Sequence, residues 1–140
     1  MNVPRILLAA AGGFVAYFAF GFLVFGALPL VREQYARYPA VYRTQEDIKA
    51  VMPIGMLGIL LSLLVLAYFY ASLYRPGDGL GAGARFGALI GLFALGAFVL
   101  HNHVNLNIGW RLTIMQGIAY FLEWTLVGAA IGLIYRPLGA

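Results

Sequence analysis

Four stretches without Asp, Glu, Lys or Arg dominate this chain: residues 6–31, 50–74, 86–110 and 112–135, the last interrupted only by Glu123. Each exceeds the roughly 20 residues a helix needs to cross hydrocarbon. Only 10% of the 140 residues are charged and 63% are apolar, whereas soluble domains carry about 25% charged residues. The expected fold is therefore all-α, an integral membrane bundle of four transmembrane helices over about residues 6–30, 45–74, 83–104 and 110–135. Little chain is left for anything else, so residues 1–140 are expected to be one transmembrane domain without a soluble catalytic module.

The first stretch outruns a secretory h-region of roughly 7–15 residues, and no small-residue cleavage pattern follows it, so a retained helix is expected. The chain has no cysteine, which removes disulfides, thiolate chemistry and iron–sulfur ligation. The net charge of +4 comes from arginines flanking the spans. It matches ordinary membrane topology and gives no reason to expect nucleic-acid binding. The expected surroundings are a lipid bilayer.

Local signals place the helix ends. Pro29 is expected to close helix one, since proline cannot donate the next helical hydrogen bond. Residues 31–43 contain Arg32, Tyr35, Arg37, Tyr38, Tyr42 and Arg43. Tyrosine rings favour the headgroup layer and arginines snorkel to it, so this segment is expected along the interface; the other reading is a tyrosine-lined lid over a ligand. Thr44-Gln45-Glu46-Asp47 has the form of a helix start with a capping side chain and acids in the first turn. Pro53 is expected to kink helix two at the interface. Pro76 and residues 77–83 make a flexible connection, and residues 105–109 a short turn.

The halves share markers: Arg5 and Arg85 open helices one and three, while Tyr74-Arg75-Pro76 and Tyr135-Arg136-Pro137 close helices two and four. Two readings stay open, a duplication of one helical hairpin, as in transporters built from parallel repeats, or the usual enrichment of Arg and Tyr beside any span. Arg5, Arg75, Arg85 and Arg136 share one membrane face, against Arg32, Arg37, Arg43, Lys49 and Arg111 on the other. The count is a near tie; the basic residue before the first helix favours both termini in the cytoplasm.

Chemistry concentrates in helix four. Thr113, Gln116, Tyr120 and Glu123 are spaced three, four and three residues apart, which puts them on one helical face. A charged group at that depth costs several kcal/mol and usually faces a protein interior. The expected partners are at the end of helix three, where His101, His103 and Asn105 lie. The candidate proton or ligand site is thus Glu123, Tyr120, Gln116, Thr113, His101, His103 and Asn105. Glu123 can equally be a neutral acid hydrogen-bonded to a carbonyl or a tyrosine of a neighbouring helix. Positions i and i+2 of a helix point about 200° apart, so His101 and His103 cannot chelate one ion from a helix. No metal and no cofactor is expected.

Gly83, Gly87 and Gly91, and likewise Gly128 and Gly132, follow the four-residue spacing that lets membrane helices approach closely. They are the expected packing residues of helices three and four, at the end away from the polar groups. No Walker loop, dinucleotide fingerprint, nucleophile elbow or HExxH occurs.

From Arg85-Phe86-Gly87 through His101-Asn102-His103-Val104-Asn105 to Glu123-Trp124 and Tyr135-Arg136-Pro137, roughly its second half, the chain resembles small uncharacterised bacterial four-helix membrane proteins. The resemblance implies a bacterial four-span protein, expected in the bacterial cytoplasmic membrane, and carries no reaction. Three functions remain in view, in this order: an accessory membrane subunit or a small homo-oligomer packed through its glycine faces, a proton-coupled carrier or channel using Glu123, and a lipid- or quinone-binding protein.

Overall fold

A computed structural model describes residues 1–135; Arg136 and Pro137 of the second closing motif lie outside them. The chain forms four helices long and apolar enough to cross a membrane, α1 (Val3–Ala27), α3 (Gln45–Leu73), α4 (Leu80–Asn105) and α5 (Trp110–Ile134), plus a short helix α2 (Pro29–Ala36). The described residues contain no strand.

Capping chemistry explains several boundaries. Asn2 accepts from the Arg5 N–H at 3.1 Å and starts α1. Thr44 and Asp47 form a reciprocal capping box, with Asp47 N–H donating to Thr44 Oγ1 at 3.2 Å and Thr44 N–H to Asp47 Oδ2 at 3.4 Å. Gly77 takes φ of +91° in the turn before α4, a conformation open to glycine at no steric cost.

α1 ends at Ala27, beside Pro29 as expected, and Pro29 itself begins α2; Leu28 before it is extended at φ −76° and ψ 114°. Proline suits the first turn, where its missing N–H would have no helical acceptor, and it pushes the preceding residue out of helical geometry. Pro53 lies inside an unbroken α3.

α5 is the central element. It packs antiparallel to α4 along one side and antiparallel to α1 along another, while α3 leans on α1. The α4–α5 contact is a glycine seam. A Cβ on Gly83 would lie 2.7 Å from the Gly132 Cα, and one on Gly87 would lie 2.9 Å from the Gly128 Cα. Lipid tails are as apolar as leucine, so helix association in a bilayer rests on close van der Waals packing, which these glycines permit. On the α1 side, Ile6, Ala9, Ala10, Leu63, Ala67, Val127 and Ile131 make the buried core.

The end of the bundle near the N-terminus is closed by aromatic packing. Tyr74 and Tyr135, the C-caps of α3 and α5, pack with ring centroids 5.3 Å apart, and Tyr70 meets Phe86 at 5.4 Å. At the opposite end α3 diverges from its neighbours. Gly55 and Gly58 have no atom within 4 Å of a would-be Cβ.

Candidate functional site

Glu123 lies near the middle of α5, about 16–20 Å from either helix end at 1.5 Å per residue. It is 1% exposed, and its Oε2 has no hydrogen-bond partner among the described residues. Its surroundings come from α1. Gly21 sits over Oε1, where a Cβ would stand 3.3 Å away, and Tyr17, one turn earlier, lies within electrostatic reach of the carboxyl, as does Tyr120. The Tyr17 ring packs on Trp124 with centroids 5.6 Å apart.

Towards the α1–α3 loop the polar stripe continues. Gln116 Nε2 donates to the hydroxyls of Tyr35 at 2.9 Å and Tyr42 at 3.1 Å. The Tyr35 and Tyr42 rings meet edge-on at 4.7 Å, and Phe25 packs on Tyr120 at 5.6 Å. Tyr38 accepts from the Gly109 N–H at 3.0 Å. This loop is therefore folded over α5, with its tyrosine hydroxyls turned towards that helix. Gln116 accounts for this, a buried amide that needs partners which neither lipid nor α4 supplies. Burial raises the Tyr35 pKa above its ordinary value, Tyr120 and Tyr42 add to the rise, and the Gln116 bond opposes it.

The expected partners in α4 are mostly elsewhere. Only His103 joins the stripe, through an Nδ1–Thr113 Oγ1 hydrogen bond of 2.8 Å, and its ring stacks on Trp110 at 3.9 Å. His101 and Asn105 are exposed on α4, so these two are not brought to Glu123, Tyr120, Gln116 and Thr113. At this level α4 faces α5 with Leu95 and Val99, which press on Gly117, and its turns wind away from the stripe.

Two π-helical segments flank the site, Phe22–Ala27 in α1 and Leu95–Leu100 in α4. Such insertions frequently occur at functional sites. Here one brings Phe25 onto Tyr120 and the other brings Leu95 onto Gly117. Among the described residues no three metal-ligating side chains converge. Tyr17, Tyr35, Tyr38 and Tyr42 join this stripe; the sequence offers the last three as an interface segment or a lid over a ligand, and it does not single out Tyr17. Tyrosine enrichment in residues 31–43 was the available signal for three of them, whereas nothing in the spacing of α1 distinguishes Tyr17.

A family model described as a protein of unknown function, DUF1761, matches residues 8–132. The chain belongs to this family. No curated protein matches the chain, and no solved structure does. The DUF1761 match covers α3 and α4 whole and all but the outer ends of α1 and α5, including the Glu123 stripe, the tyrosine loop and the glycine seam.

Proposed function

We propose that this DUF1761 protein is a small proton-linked membrane carrier in which Glu123 is the proton site. One observation carries the reading: the sole acid in the middle of a span is almost fully buried yet leaves Oε2 without a partner among the described residues. A carboxyl kept only for packing would be expected to satisfy both oxygens, since each lost bond in hydrocarbon is costly. Intramembrane acids so placed commonly serve proton relays or substrate pathways. The hydroxyls of Tyr120, Tyr35 and Tyr42 and the Gln116 amide lead from Glu123 towards the α1–α3 loop, a direction in which protons could pass between hydrogen-bonding groups.

The test is proton flux in liposomes with a trapped pH dye, together with the carboxyl infrared band in nanodiscs. Wild type is expected to show flux and a band that titrates, and Glu123→Gln to lose both. Equal flux in the two proteins would remove Glu123 from the mechanism.

A second reading has its own support. The Gln45–Gly58 half of α3 packs on little of this chain, as expected of a helix that meets a partner subunit or a second copy. Crosslinking from Ile54 in native membranes tests it: products containing a second chain would support an oligomeric or accessory role, and monomer alone would count against it.

A further inference from the structure

The divergence of α3 from α1 leaves a lateral cleft of about 480 Å³, lined by Tyr17, Phe18, Val51, Gly55, Met56 and Gly58 among others. That volume lies within the roughly 300–1,000 Å³ of small-molecule sites. It lies open at the outer surface between α1 and α3, and its walls are almost wholly apolar. Aromatic side chains pack across both ends of the bundle. Tyr35 and Tyr42 are hydrogen-bonded across one end, and the Tyr70, Tyr74 and Tyr135 rings pack across the other.

Tyr17 joins the cleft to the buried acid. It lines the cleft, packs on Trp124 and lies within electrostatic reach of Glu123. A molecule held there would meet apolar walls and aromatic ring faces, with the buried carboxyl of Glu123 behind Tyr17 rather than in the cleft lining. Ring faces and carboxylates both attract cations, and both repel anions. We propose that the α1–α3 cleft admits a lipophilic organic cation from the bilayer, with Glu123 as its counter-charge and Tyr17 as the gate between them. This rests on the reading of Glu123 as a proton site and names what exchanges with the proton.

The probe is tetraphenylphosphonium, with tetraphenylborate as an anion of the same shape and empty nanodiscs as the blank. Wild type in nanodiscs is expected to bind the cation saturably, release protons on binding and ignore the anion. Glu123→Gln should weaken binding at least tenfold and Glu123→Asp should retain it. Gly55→Trp and Gly58→Trp add bulk at positions with open space. They should weaken binding at least tenfold while the Glu123 infrared titration stays as in wild type.

Undiminished binding in Glu123→Gln, equal binding of the anion, or no saturable binding would overturn the inference. So would a native-mass dimer that Gly55→Trp dissociates, because a second copy would then occupy the cleft. If Glu123 titrates and carries flux but the cation does not bind, only this substrate class fails. If flux is indifferent to Glu123→Gln, the proton-site reading itself fails.

Discussion

Replacing Gln116 by leucine keeps the bulk of a buried side chain and deletes both bonds that hold Tyr35 and Tyr42 over α5. A hydrogen bond of this kind contributes about 0.5–1.5 kcal/mol net, so closure of the loop should weaken by about 1–3 kcal/mol. At about 1.4 kcal/mol per factor of ten, the open population rises roughly 5- to 150-fold. Backbone amides of residues 37–44 report this directly, because their hydrogen exchange follows the local opening equilibrium. In nanodiscs these amides should exchange faster by that factor in Gln116→Leu, and by a smaller factor in Tyr35→Phe and in Tyr42→Phe. Adding Tyr42→Phe to Gln116→Leu should then cost little more, since the shared bond is already gone. Unchanged exchange in Gln116→Leu, with residues 60–70 as the internal reference, would refute the account of the loop as a hydrogen-bonded lid.

Two more outcomes follow from the packing and the titratable groups. Gly87→Ala forces a Cβ to 2.9 Å from the Gly128 Cα and should lower stability by about 1–3 kcal/mol; Gly55→Ala, in open space, should stay within about 0.5 kcal/mol. Unfolding in mixed micelles compares them, and equal loss in both would refute the seam. The Tyr35 hydroxyl has its pKa raised by burial, so its neutral form favours the closed lid. That contribution is present below the ordinary tyrosine value of about 10 and is lost as pH rises above it. Tyrosinate absorbance and exchange of residues 37–44 should therefore climb together at high pH, with the coupled rise reduced in Tyr35→Phe.

Much of the fold was legible because lipid imposes simple rules. Uncharged length set the four spans, and Thr44-Gln45-Glu46-Asp47 set the start of α3 through its capping box. Proline was less legible because its two helical roles have the same appearance in sequence. Pro29 follows an apolar run and so reads as a terminator, yet it occupies the first turn of α2. The loop was ambiguous for a different reason. Tyrosine and arginine suit both a headgroup layer and a polar lid, and the choice depends on whether a buried acceptor or donor lies within reach. Gln116 provides it, but no local pattern in residues 31–43 announces a partner so far along the chain.

The displaced partners of the polar stripe follow from the geometry of α5 itself. At about 100° per residue, Gly117, Gly128 and Gly132 centre roughly 120° around the helix from Gln116, Tyr120 and Glu123. One neighbour cannot cover both faces. The glycine face admits a helix only at close range, and α4 supplies matching glycines, so α4 takes that side. The stripe must then be met by another element, and α1 with its following loop is the one that runs antiparallel beside it, Gly21 against Glu123 and Tyr35 against Gln116. Thr113 lies between the two faces, and it is the stripe residue that bonds to α4, through His103. The same geometry explains why Glu123 is both buried and underfilled. The side of α1 that covers it is Gly21, which contributes no side chain, and the nearest polar side chain on α1 is Tyr17, one turn away at the wall of the lateral cleft.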